Sequence, residues 1–253
     1  MSYQIAITGK GGVGKTTLAG LLVQRLIAAD KRPVLAVDAD PNTCLDEVLG
    51  VNAEVTIGRV REDAREIASK GMAGGISKQQ LLELKISESL VEADDFDLIA
   101  MGRSEGAGCY CYANNVLKMA LGTIAESYPY VILDNEAGLE NLSRRIYQEV
   151  DLLILVADPS KRGLNTVRRL HQLTAEMDVK YGKLAVVVNR VRNELPDYAL
   201  SLKADIGADF LIALPDDNEL HEFAEAGRSL TELPSTNAVA TILDGFLSDL
   251  QLH

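Results

Sequence analysis

A chain of 253 residues, 47% hydrophobic and 25% charged, can bury a large core and fits one α/β domain. Its formal net charge of −12 argues against nucleic acid as a partner, since a phosphate backbone needs a basic face and no basic cluster is present. Three cysteines, no signal-peptide pattern over residues 1–8 and no apolar run near the roughly 20 residues that span a bilayer predict a cytoplasmic protein without structural disulfides or a membrane segment.

Ile5-Ala6-Ile7 reads as a buried strand and Leu18 to Leu26 as a helix. Between them Gly9-Lys10-Gly11-Gly12-Val13-Gly14-Lys15-Thr16-Thr17 matches GxxxxGK[ST] in the strand, loop and helix setting that phosphate binding requires. The bland alternative is a glycine-rich turn without a ligand. In the functional reading, backbone N–H groups from Gly11, Gly12, Val13 and Gly14 face the phosphates, and the helix N-terminus adds its positive end. Lys15 reaches the β- and γ-phosphates, the Thr16 hydroxyl completes magnesium coordination and Thr17 meets the α-phosphate. A second lysine, Lys10, follows the first glycine, and KGGxGKT resembles the deviant Walker A loop of the MinD, ParA and nitrogenase iron-protein class. That resemblance implies that Lys10 crosses a dimer interface to the partner's nucleotide, coupling nucleotide state to dimerisation.

Lys31-Arg32-Pro33 ends the helix, and the strand Val34-Leu35-Ala36-Val37 delivers Asp38-Ala39-Asp40-Pro41-Asn42. Aspartates at the carboxyl end of a parallel strand beside a phosphate loop suit magnesium, held through water, or the attacking water itself. A plain turn at Asp-Pro is the alternative. The segment resembles the switch I of the same ATPase class, which implies Asp40 beside the hydrolytic water and Asp38 near the magnesium shell. Cys44, at a helix start before Leu45, Val48 and Leu49, is expected to be a small buried hydrophobe.

Residues 54–93 read as an insertion between sheet strands. Residues 55–60 start a helix, Gly71-Met72-Ala73-Gly74-Gly75 breaks the pattern, and an amphipathic stretch runs from Ser77 to Ala93. A partner-docking surface and a helical cover on the sheet are both open readings.

The strand Phe96 to Gly102 leads into Gly102-Arg103-Ser104-Glu105-Gly106-Ala107-Gly108-Cys109-Tyr110-Cys111-Tyr112-Ala113-Asn114-Asn115. Two core cysteines could stand one residue apart by accident, but a glycine-rich segment is a poor place for burial. Thiolates suit Zn, Ni, Cu(I) or an iron–sulfur cluster. One CxC supplies two ligands, and a two-fold axis would supply two more. Next, Tyr130-Val131-Ile132-Leu133 ends in Asp134-Asn135-Glu136-Ala137-Gly138. An acidic residue at the end of an apolar strand is the Walker B arrangement, with Asp134 reaching magnesium through water and Gly138 letting backbone approach the γ-phosphate.

In this order KGGVGKT, DADPN, GCYCYANN and LDNEAGLENLSRR resemble the CooC-type nickel-insertion ATPases that mature carbon monoxide dehydrogenase, with a sister group serving acetyl-CoA synthase. The resemblance covers nearly the whole chain. It implies ATP hydrolysis to ADP, a homodimer, a client nickel enzyme, and nickel or zinc between two Cys109/Cys111 pairs.

Leu152 to Val156 is a further strand, followed by Asp158-Pro159-Ser160 and a helix through Val167, Leu170 and Leu173, on which His171 is expected at the surface. Leu184 to Val188 presents Asn189, able to offer donor and acceptor to an adenine edge. A guanine-selective NKxD is absent from Asn189-Arg190-Val191-Arg192, which favours ATP. Phe210 to Leu214 is the last strand, and Pro215-Asp216-Asp217 flanks the base. The final helix, Asn237 to Leu250, carries Val239, Ile242, Leu243, Phe246, Leu247 and Leu250 on one face and Asp244 and Asp249 without Lys or Arg, so it should pack on the domain and be repelled by anionic lipid.

The expectation is a doubly wound α/β P-loop NTPase with a mostly parallel sheet, helices on both faces and nucleotide at the carboxyl ends of the strands. The expected function is an ATP-driven metallochaperone. A nitrogenase-iron-protein-like reductase and a MinD- or ParA-like positioning ATPase are its rivals.

Overall fold

The computed structural model describes residues 2–60, 78–102, 121–135 and 149–252. Among them eight strands form one sheet: β1 (Tyr3–Gly9), β2 (Val34–Asp38), β3 (Leu90–Glu92), β4 (Phe96–Ala100), β5 (Tyr130–Asp134), β6 (Glu149–Ala157), β7 (Lys180–Val191) and β8 (Phe210–Pro215). Their spatial order is β3-β4-β2-β5-β1-β6-β7-β8, parallel throughout except for the edge pair β3 and β4. The helices include α1 (Lys15–Ala28), α2 (Leu45–Leu49), α3 (Lys78–Glu88), α4 (Lys161–Glu176), α5 (Asp197–Ile206), α6 (Asn218–Glu225) and α7 (Ala238–Asp249), with shorter helical stretches at 57–60 and 121–126.

Strand side chains alternate between two layers, as a sheet covered on both faces requires. Ile5, Ile7, Ala36, Ile132, Ile154 and Val187 pack with Leu22 and Leu26 of α1 and Leu243 and Phe246 of α7. Ala6, Val37, Leu133, Leu155 and Val186 pack with Val167 of α4, Leu202 of α5 and Ile86 of α3. This is the doubly wound arrangement with helices on both faces. It brings the carboxyl ends of β1, β2 and β5 side by side, with Asp38 and Ile7 both in register with Asp134.

Several expectations change. The stretch ending at Ala93 is not one helix, because α3 stops at Glu88 and Leu90–Glu92 turns back to pair antiparallel with β4. Leu90, Val91 and Glu92 satisfy their backbone through the sheet instead of continuing the helix. Cys44 is exposed, since the five-residue α2 buries only Leu45 and Leu49 and Cys44 precedes it. Ile242 is 36% exposed, beside the buried Val239, Leu243, Phe246 and Leu247. The helix α7 otherwise packs on the domain, with the Phe210 and Phe246 rings edge to face at 5.4 Å. His171 is half-buried, with Nε2 3.1 Å from the Tyr181 hydroxyl, and burial lowers its pKa. Cys109, Cys111, Gly138, the glycine break at 71–75 and residues 136–148 lie outside the described residues.

Candidate nucleotide and magnesium site

The loop between β1 and α1 holds its shape through glycine. Gly12 and Gly14 have φ of 77° and 93°, and a Cβ on Gly14 would stand 2.4 Å from Asn189 Nδ2. A Cβ on Gly9 would meet the Val156 carbonyl oxygen at 2.4 Å, so the loop leaves the sheet against its neighbouring strand. No side chain caps α1 and no acidic residue stands in its first turn, which leaves its first N–H groups and positive end to an anion.

Two residues from β7 brace this loop. Asn189 Nδ2 donates to the Val13 carbonyl at 2.9 Å and Arg190 Nη1 to that of Gly12 at 3.3 Å. Both sit where the β7–β8 register shifts, and Arg190 has a φ of 59°. The bracing by Arg190 has no sequence signal, because a left-handed non-glycine residue at a bulge cannot be read from composition. Asn189 keeps a second N–H and a lone pair for a base, beyond the bonds it makes to Val13 and to the Arg190 N–H.

Lys15 is buried, and its ammonium rests 3.3 Å from the Lys10 carbonyl oxygen, inside the loop it would share with phosphate. Lys10 itself is exposed. The loop opens into a depression lined by Gly11, Gly12, Gly14, Lys15, Thr16, Thr17, Asp40, Asn42 and Arg190. It continues, through Gly14, Thr17 and Arg190, into a second one lined by Leu18, Leu21, Val48, Asn189, Pro215 and Asp216. The first is polar and suits phosphates; the second has the apolar walls and few polar groups that a base and sugar need. The Asp216 carboxylate is taken by His221 Nε2 and Arg192 Nε, each at 2.8 Å, and these partners hold its pKa below the ordinary value. It therefore braces the rim of the second depression.

Three aspartates were expected here, and they divide their work. Asp38 accepts from the N–H groups of Asp40, Cys44 and Leu45, all at 2.9 Å, so it caps α2; burial still pushes its pKa up. Asp40 accepts from the Asn42 N–H at 2.9 Å and from its side-chain amide at 3.0 Å, and it lines the phosphate depression. Asp134 is buried with neither oxygen in a well-formed hydrogen bond. Burial pushes its pKa up to about 7, helped by Asp38 and opposed by the nearby Thr16 hydroxyl and Lys15. An orphaned carboxylate next to a threonine hydroxyl at the end of a phosphate loop fits magnesium. Among the described residues no three His, Cys, Asp or Glu side chains gather as a metal site.

Sheet, loop and aspartates together define a P-loop ATPase of the ParA and MinD type. Residues 3–184 match the family model AAA_31, an AAA domain, and the chain belongs to that family. It is 41% identical over 236 residues to an uncharacterised ATP-binding protein of Methanocaldococcus jannaschii, covering 93% of each chain. It is 29% identical over 242 residues to the carbon monoxide dehydrogenase accessory protein CooC of Rhodospirillum rubrum, covering 91% of this chain and 90% of that one. The ParA family ATPase of Chlorobium tepidum superposes with a TM-score of 0.74 at 17% identity, over 99% of both chains. Among the described residues no helix is long and apolar enough to cross a membrane.

Proposed function

We propose that this protein is an ATP-driven metallochaperone acting as a cytoplasmic homodimer, which carries nickel or zinc on Cys109 and Cys111 and delivers nickel to carbon monoxide dehydrogenase or acetyl-CoA synthase. The observation that carries the reading is the likeness to the CooC accessory protein along nine-tenths of both chains, together with a CxC in this sequence. The exposed Lys10 supports a contact across a two-fold axis to the partner's nucleotide.

In the proposed cycle ATP lies with its base between Asn189 and Pro215 and its phosphates over Gly11 to Thr17. Bound magnesium would neutralise charge developing between the β- and γ-phosphates. Thr16 would hold it directly, and Asp134 and Asp38 through water. Lys15 leaves the Lys10 carbonyl for the γ-phosphate, and Asp40 orients the attacking water. Gly138 would sense loss of the γ-phosphate and alter the approach of the two thiol pairs. Hydrolysis is thereby tied to metal release.

Anaerobic measurement of bound metal and absolute mass, with and without ADP or ATP, tests this against Cys109→Ala/Cys111→Ala. One nickel or zinc per dimer, lost in the double variant, is the expected result. A wild type that dimerises with ATP and binds no metal would sink the proposal, and a brown protein with visible absorption would indicate an iron–sulfur reductase instead.

A further inference from the structure

The bulge near the end of β7 serves more than its own strand. Val188 pairs with Ala213 and Val191 with Pro215, so Asn189 and Arg190 together stand opposite Leu214 alone. In a regular strand two consecutive side chains leave on opposite faces of the sheet. Here both reach the same loop, Asn189 Nδ2 donating to the Val13 carbonyl at 2.9 Å and Arg190 Nη1 to the Gly12 carbonyl at 3.3 Å. The cost is a left-handed backbone at Arg190, with φ of 59°, held in place as its N–H donates to Asn189 Oδ1 at 3.0 Å. Arg190 is exposed and lines both depressions, at their junction.

What the two bonds do follows from the peptide plane. The Gly12–Val13 and Val13–Gly14 peptides are trans, so each carbonyl points opposite to the N–H that follows it. A Gly12 carbonyl fixed on Arg190 turns the Val13 N–H the other way, and a Val13 carbonyl fixed on Asn189 does the same for the Gly14 N–H. Successive N–H groups set in this way are the donors of an anion cradle. With glycine at 11, 12 and 14, an unbraced loop would spread over many conformations and lose them all when phosphate binds.

We propose that Arg190 is a positioning residue for the phosphates of the nucleotide. Its hold on the Gly12 carbonyl presents the Val13 N–H to the β-phosphate, beside the Gly14 N–H that Asn189 presents, and so sets the cradle in advance of the ligand. This role, which rests on the loop being the phosphate site of an ATPase, leaves recognition of the base to Asn189.

Calorimetric titration of the full chain with magnesium ADP and with magnesium pyrophosphate tests the role. Arg190→Gly suits the left-handed backbone, so Tm without ligand should match the wild type or rise, while both ligands bind about tenfold more weakly. That factor should be the same at about 0.1 M and about 1 M salt, because an N–H held in place is not screened as a free surface charge is. Arg190→Lys, which keeps a donor, should recover part of the loss. Four results would each overturn the proposal: ADP binding unchanged in Arg190→Gly, a loss for ADP without one for pyrophosphate, a loss that fades at high salt, or a Tm that falls along with affinity. So would a wild type that binds ADP and not pyrophosphate, whereas a wild type that binds neither removes the phosphate-site reading itself.

Discussion

Asp38 and Asp134 are register partners at the ends of adjacent strands, and the chain treats their carboxylates in opposite ways. Asp38 accepts three backbone N–H groups, whereas Asp134 accepts no well-formed hydrogen bond and is the more strongly perturbed of the two. One carboxylate organises the loop that carries Asp40, and the other is left without a well-formed hydrogen bond.

This division gives a pH prediction for the metal-free protein. The Asp134 carboxyl, at about 7 against an ordinary 3.8, keeps its proton in the folded chain after the unfolded chain has lost it. Its burial therefore costs stability progressively from about pH 4 to about pH 7, by up to about 4 kcal/mol, and the loss then levels off. Below both values the cost disappears. Asp134→Asn should flatten that part of the curve and be the more stable protein at pH 8, yet lose the stabilisation that magnesium gives in the presence of ADP. Urea denaturation at pH 5 and pH 8, with and without magnesium, checks both; a variant curve parallel to the wild type contradicts the assignment.

Asp38→Ala should act on α2 first. Removing the acceptor frees the N–H groups of Asp40, Cys44 and Leu45, at a cost of about 1–3 kcal/mol. Amide exchange should accelerate at those residues and through Leu49, while the amides of β5 stay protected. Acceleration spread evenly over the sheet would mean that Asp38 supports the core and not the loop.

Much of this architecture was legible because it is periodic or rigidly spaced. The apolar runs of β1, β2, β5, β6, β7 and β8 identify buried parallel strands, and GxxxxGK[ST] places Lys15 and Thr16. What escaped depends on partners distant in sequence. Cys44 looked like a core residue by its apolar neighbours, but Asp38, six residues earlier, takes its N–H and starts α2 one residue later. The turn of Leu90–Glu92 back onto β4 is a three-residue strand, too short for a period to register. Arg190 is set by a bulge between β7 and β8, which only the paired strands define.

Gly14→Ala should damage the loop in two separable ways. A Cβ would stand 2.4 Å from Asn189 Nδ2, and φ of 93° is unfavourable for any side chain by about 1–2 kcal/mol. Adding Asn189→Ala removes the clash and leaves the backbone strain, so the double variant should recover part of the Tm lost by Gly14→Ala. Calorimetric ADP binding should remain weak in both. Full recovery of Tm would show that the left-handed backbone carries no cost.

Cys44 should be accessible but slow to react. It is exposed at the start of α2, while partial burial and the charges of Asp38, Asp40, Glu47 and Asp46 raise its pKa above the ordinary thiol value of 9.0. In a Cys109→Ala/Cys111→Ala protein, iodoacetamide should alkylate Cys44 to completion, at a rate that climbs steeply above pH 9. Asp40→Asn removes one of the opposing charges and should speed the reaction at pH 8 by about twofold. A rate at pH 8 equal to that of a free cysteine peptide would contradict the electrostatic account, and no alkylation at any pH would contradict the exposure.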